Sequence, residues 1–196
     1  MMTKRKTVTV FCASSEEATG VYYTEAEKFG RMLAENNYEI IYGGGKSGLM
    51  GSLANGALAA GGRVIGVIPK FMKELNLGHE TVTHLIVADD IKKRQSLMMR
   101  NTDIIVALPG GCGTLYELIE AITLKFLGLL PLPILIINVN GYFNKFVDTL
   151  EHAVYEKFMK NGSSNLWKVL PDADSAMEEI RLVNHTFEPI LMPVLN

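Results

Sequence analysis

Pro109-Gly110-Gly111-Cys112-Gly113-Thr114-Leu115-Tyr116-Glu117 combines what an anion site needs with a carboxylate placed to act beside it. Three of the four residues from 110 to 113 are glycine, so the backbone can turn sharply and present bare N–H groups. An apolar run, 104–108, precedes the segment, and an amphipathic pattern, 115–127, follows it, which reads as strand, glycine turn, helix. Amides at the positive end of a helix suit a phosphate. Glu117 lies one helical turn further on, within reach of whatever that phosphate anchors. Thr114 and Glu117 also fit a capping box, with Thr as N-cap and Glu at the third helical position. Both readings of Glu117 stand at this stage, although a capping box has no need of the glycines before it.

A second glycine turn, Gly43-Gly44-Gly45-Lys46-Ser47-Gly48, satisfies G-x-G-x-x-G between a strand and a helix. The acidic residue a dinucleotide ribose would require at the end of the next strand is missing; Pro69 and Lys70 stand there. A P-loop fails on spacing, because Ile40 occupies the position of its first glycine. The turn is either tight helix–sheet packing alone or, on the preferred reading, also one wall of a mononucleotide site that includes Gly44 and Gly45. Arg94, in Lys92-Lys93-Arg94, is either part of a solvated basic face or a planar, bidentate partner for phosphate or carboxylate. His79 and His84 have no third ligand nearby, so no metal is expected, and Met98 and Met99 read as core. The two cysteines, Cys12 and Cys112, both fall at strand ends and form no CxxC pair. Cys112 reads as a small side chain that fits the turn.

The elements that would position these residues alternate. Strands are expected at 7–12, 39–42, 63–68, 85–88, 103–108 and 134–139, with a possible edge strand at 166–170. Helices are expected at 22–36, 47–60, from Asp89 or Asp90 to about 101, 115–127, 142–160 and 172–182, and the stretch 70–83 is irregular. Continuous Val/Ile-rich strands between helices indicate a doubly wound, mostly parallel Rossmann-like α/β sheet with helices on both faces. Its ligand crevice lies beyond the carboxyl ends of the strands, where both glycine turns fall. One nucleotide-binding α/β domain over 1–182 and a tail over 183–196 are expected.

With 196 residues, 48% of them hydrophobic, the chain can bury a substantial core. A net charge of −2 gives no bulk attraction to nucleic acid or to an anionic membrane. The longest apolar stretches are too short to cross a bilayer. The basic start, Met-Met-Thr-Lys-Arg-Lys, leads straight into a strand-like run, with no signal-peptide core. A cytoplasmic protein is the expectation.

The paired signatures Gly43-Gly44-Gly45-x-x-Gly48-Leu49-Met50-Gly51 and Pro109-Gly110-Gly111-x-Gly113-Thr114-x-x-Glu117 resemble those of the LOG (LONELY GUY) family, whose members are often labelled lysine decarboxylase-like. Phe11-Cys12-Ala13-Ser14-Ser15, Gly66-Val67-Ile68-Pro69 and Asn138-Val139-Asn140-Gly141-Tyr142-Phe143 add to the resemblance, which runs from about residue 8 to residue 160. It implies a Rossmann-like fold, a homodimer, no cofactor, and phosphoribohydrolase activity. That reaction cleaves the N-glycosidic bond of AMP or a cytokinin nucleotide to give free base and ribose 5-phosphate. The family's catalytic Arg and Glu map onto Arg94 and Glu117, and its phosphate loop onto Gly110, Gly111, Cys112, Gly113 and Thr114. By similarity Thr123 and Glu74 line the nucleotide site. The chain departs from the family at Gln95, where a Lys is usual, at Ile91 for Met, at Cys112 for a residue that is often aromatic, and at Leu124 for Trp. Decarboxylase chemistry normally uses an electron sink held by a Schiff-base Lys, and no such constellation is visible. A non-catalytic nucleotide sensor or carrier is the alternative the same loop would serve.

Overall fold

The structure is a computed structural model and describes residues 5–186. Among them seven strands form one sheet: β1 (Thr7–Phe11), β2 (Glu39–Tyr42), β3 (Arg63–Pro69), β4 (His84–Ala88), β5 (Ile104–Ala107), β6 (Ile134–Ile137) and β7 (Lys168–Leu170). The order is β4-β3-β2-β1-β5-β6-β7, and every pairing is parallel. The helices are α1 (Gly20–Glu35), α2 (Gly48–Ala59), α3 (Lys70–Glu74), α4 (Ile91–Met99), α5 (Cys112–Phe126), α6 (Asn144–Tyr155) and α7 (Ala173–Thr186).

Alternate strand residues serve opposite faces. Val8, Val10, Ile40, Tyr42, Val64, Ile104 and Val106 pack with Phe29, Leu33, Leu53 and Ile180, so α1, α2 and α7 cover that face. Phe11, Ile41, Val67, Ile105 and Ala107 pack with Met98, Leu118, Ile122 and Phe143, under α4 and α5. Burial on both sides explains why the strands read as continuous apolar runs rather than as alternating ones. The chain steps from β1 outward to β4, then returns to the other side of β1 for β5. In sheets of this kind such a reversal marks the place where ligands bind, here beyond the carboxyl ends of β1 and β5.

α4 carries Arg94 and is clamped at both ends. Asp90 is its N-cap, its side chain accepting from Lys93 N at 2.7 Å. At the other end the buried Thr9 hydroxyl donates to the Met98 carbonyl at 2.8 Å. That carbonyl belongs to the last turn, whose oxygens have no partner within the helix. Thr9 N donates in turn to the Thr102 hydroxyl at 3.1 Å, which ties β1 to the chain leaving α4.

Three expectations are corrected. α5 begins at Cys112, with the extended Gly111 (φ −82°, ψ −156°) as its cap and no side-chain cap bond. Thr114 is therefore inside the first turn, and the capping-box reading of Glu117 falls. α6 is shorter than the expected 142–160. Asn138 Oδ1 accepts from Phe143 N at 2.7 Å before the helix starts, and Lys157 takes a left-handed φ of 65° beyond its end. α7 runs to Thr186, past the expected end at 182, and the rest of the tail expected from 183 lies outside the described residues.

Thr9→Val keeps the shape but leaves the Met98 carbonyl without its donor. It is expected to lower stability by about 1–3 kcal/mol, read from the urea midpoint.

Candidate active site

The guanidinium of Arg94 joins three elements. Its Nε donates to the Val67 carbonyl on β3 at 2.9 Å, and its Nη1 donates to Glu117 Oε1 on α5. Its Nη2 passes over Gly43, at the end of β2. A Cβ built on Gly43 would meet that Nη2 and, at 2.7 Å, Met50 Cε. Gly43 is thus glycine because the guanidinium occupies the space. Both partners of the ion pair are withdrawn from water, the Arg94 side chain to 11% exposure and that of Glu117 to 5%. Burial pushes the Glu117 carboxyl above the usual glutamate range, the neighbouring Arg94 pulls it back, and Glu120 adds a smaller upward push.

The loop after β5 stands open. Gly110 is buried, where an added Cβ would strike the Thr114 side chain and, at 2.9 Å, Ala13 N. Gly111, Cys112 and Gly113 are exposed, and a Cβ on Gly111 would meet nothing within 4 Å. Their amides belong to the first turn of α5, where backbone N–H groups lack helical acceptors. The loop after β1 closes the rim: Ala13 N donates to the Pro109 carbonyl at 3.2 Å, and Met50 N to the Ala13 carbonyl at 3.0 Å.

The second glycine turn lies against Arg94 through Gly43. Gly44 holds φ +77°, His79 N donates to its carbonyl at 2.9 Å, and Lys46 N donates to the Leu77 carbonyl at 3.1 Å. These bonds fasten 77–79, just beyond the short α3 with its exposed Glu74, against the turn. Thr123 stands apart. It is six residues beyond Glu117, about 9 Å further along α5, and it is exposed. Gln95 is buried to 2% exposure, and neither of its amide atoms, nor Glu120 Oε2, has a hydrogen-bond partner among the described residues.

His79 is held against α2. Its Nε2 lies 3.1 Å from Asn55 Oδ1, and burial holds the imidazole below its usual range. Cys12 is buried, its thiol pushed up by desolvation and by the charge of Glu117, while Cys112 is exposed; both are free. Sequence reasoning missed the Val67 carbonyl, which has no side-chain signal. It also missed the hydroxyl of Tyr142, which donates to the Gly110 carbonyl at 2.6 Å.

Fold and site together define an α/β protein with an exposed glycine loop at the switch point of a doubly wound sheet and a buried Arg–Glu pair beside it. The family model described as possible lysine decarboxylase matches residues 50–180. The chain is 38% identical over 177 residues to a cytokinin riboside 5′-monophosphate phosphoribohydrolase of Rhodococcoides fascians, covering 90% of this chain and 89% of that one. It is 37% identical to one from Arabidopsis thaliana, covering 89% of this chain and 80% of the relative. The chain belongs to this family, the LOG family. Among solved structures, the molybdenum cofactor carrier protein of Chlamydomonas reinhardtii has a TM-score of 0.70 at 20% identity, over 93% of this chain and 100% of that one, a likeness of fold.

Arg94→Met strands the Glu117 carboxylate in a buried site. It is expected to cost about 3–5 kcal/mol at neutral pH, the scale for removing one partner of a buried pair. A Glu117 pKa above its unfolded value makes stability greatest below the ordinary glutamate range and loses it as pH rises through the raised value. Unfolding midpoints of the variant should therefore improve on acidification from pH 8 toward pH 5. A midpoint independent of pH would remove Arg94 as the group that keeps Glu117 ionised.

Proposed function

We propose that this protein is a nucleoside 5′-monophosphate phosphoribohydrolase, cleaving AMP or a cytokinin riboside 5′-monophosphate to free base and ribose 5-phosphate. One observation carries the reading: a buried carboxylate, Glu117, is held by Arg94 one turn beyond the exposed glycine amides that open α5. The names of the family relatives support the same substrate class.

The 5′-phosphate docks on the amides of 110–114, aided by the dipole of α5. That fixes the ribose with its anomeric carbon toward Glu117. As the C1′–N bond breaks, its electron pair leaves with the base, and positive charge builds on C1′ and the ring oxygen. The Glu117 carboxylate stabilises that charge and takes a proton from the attacking water, whose oxygen bonds to C1′. The departing base takes its proton from solvent. Arg94 engages Oε1, leaving Oε2 as the oxygen that faces the substrate, and it holds the carboxylate ionised against its burial. Gly44, Gly45 and Glu74 form the far wall. No cofactor enters this scheme.

We read the active unit as a homodimer. Tyr116, Ile119 and Leu127 expose an apolar stripe along α5, the helix that also carries Glu120, whose Oε2 has no hydrogen-bond partner among the described residues. A second copy on this face would cover the stripe and would bring its own Thr123 to the same surface. We read the chain as cytoplasmic and free of nucleic acid, in keeping with its net charge of −2. No helix among the described residues is long and apolar enough to cross a membrane.

Purified protein incubated with AMP and other nucleoside monophosphates is expected to release ribose 5-phosphate and free base. Glu117→Gln should cut kcat by about 10²-fold or more, the scale of a positioned acid–base group. Nucleotide bound tightly and recovered whole would instead make the chain a carrier. In the wild type, kcat/KM should fall on acidification with an inflection above the ordinary glutamate value of about 4.3. An inflection at or below that value would separate the carboxylate that titrates from the buried Glu117.

A further inference from the structure

Tyr142 is 32 residues from Gly110 in the chain, yet its hydroxyl donates to the Gly110 carbonyl at 2.6 Å. The seat for this side chain is unusual. Asn140 and Gly141 both hold positive φ, 51° and 70°, and swing the chain so that Tyr142 rises at the crevice rim. The next residue, Phe143, is fully buried, and its N–H is held by Asn138 Oδ1 at 2.7 Å. The Tyr142 ring meets Phe143 edge-on at 5.0 Å between centroids and Tyr22 of α1 at 6.0 Å. The ring is thus packed on two sides, and the hydroxyl ends on a backbone atom of the loop.

The acceptor matters because of what lies across the same peptide plane. In a trans peptide the C=O of one residue and the N–H of the next point in opposite directions. Holding the Gly110 oxygen toward Tyr142 therefore turns the Gly111 N–H away from it. Glycines flank this peptide on both sides, so no Cβ resists rotation of its plane. On the described residues the Tyr142 hydroxyl is the hydrogen-bond donor that the Gly110 oxygen meets, and an added Cβ on Gly111 would point into open space.

We propose that Tyr142 is a positioning residue: its hydroxyl latches the Gly110–Gly111 peptide so that the Gly111 N–H is aimed at the substrate phosphate. The inference rests on the phosphate site proposed above and assigns a residue that controls it. Tyr142 touches neither the scissile bond nor Glu117 in this arrangement, so it acts on phosphate affinity and not on bond breaking.

The test is Tyr142→Phe, which keeps the ring and its edge contacts and removes only the hydroxyl. KM for AMP should rise about tenfold with kcat changed less than about twofold, the pattern of lost uniform binding. The inhibition constants of ribose 5-phosphate and inorganic phosphate should rise by the same factor, and kcat/KM for adenosine, which lacks the phosphate, should stay put. Unchanged phosphate inhibition in Tyr142→Phe overturns the latch. So does a parallel fall for AMP and adenosine, which would mark a general loss of structure. A wild-type protein that treats AMP and adenosine alike and ignores inorganic phosphate would overturn the phosphate site itself, and the latch with it. The wild-type measurement thereby separates the two failures.

Discussion

The buried ion pair of Arg94 with Glu117 is the interaction around which the crevice is arranged. Withdrawing two charges from water costs several kcal/mol per ion, and mutual attraction offsets this only when the remaining hydrogen-bonding capacity is met. The chain meets it with backbone from a different element, the Val67 carbonyl on Nε. That requirement sets the neighbours. Gly43 must lack a side chain, β3 must run on far enough to present Val67, and α4 must be clamped so that Arg94 reaches across. An apolar pair would fill the same space at lower cost, so the pair is poorly explained as a stabilising device. It is well explained as a means of keeping a carboxylate in a dry place.

The pair also bears on how the phosphate of the proposed substrate is held. Arg94 is matched by Glu117, so little positive charge is left over for a phosphate, and Gln95, beside it, is neutral. In the proposed site, attraction comes from directional donors: the amides at the start of α5 and the dipole behind them. A point charge tolerates small errors of aim, whereas an N–H does not. The loop needs glycines so that its backbone can face the ligand, and the same glycines leave its peptide planes free to turn. Contacts from outside the loop, from Ala13 to Pro109 and from Tyr142 to Gly110, supply the rigidity that the loop's own composition withholds.

What was legible in the sequence follows from this physics. Strands buried on both faces write themselves as Val/Ile runs, and glycine turns after strands mark a crevice, so the doubly wound sheet and the loop at 110–114 could be read directly. Glu117 was legible as a position but ambiguous in role, because Thr114-x-x-Glu117 satisfies a local capping pattern. Only the earlier start of α5, capped by the extended Gly111, removed that alternative. The solvated-face reading of Arg94 was equally sound locally, since Lys92 and Lys93 beside it are exposed. Contacts across 23 and 27 residues, to Glu117 and Val67, turn Arg94 inward, and no window along the chain shows them. The five-residue α3 and the left-handed Lys157 beyond α6 left too little pattern to read.

The likeness to a molybdenum cofactor carrier makes clear that the fold alone does not choose between holding a ligand and breaking it. A site beyond the carboxyl ends of the strands can serve either purpose in such a sheet. A carrier and a hydrolase differ in what the ligand meets beyond its phosphate. A carrier must keep reactive carboxylates and water away from its cargo. Here a carboxylate sits one turn from the amides, its basicity raised by burial and restrained by the pairing with Arg94. Burial favours the neutral acid and Arg94 favours the carboxylate, whereas a fully exposed carboxylate would be a weaker base screened by water. In the mechanism proposed above that combination serves proton abstraction beside a developing cation, whereas a protein that only held its ligand would gain nothing from maintaining it.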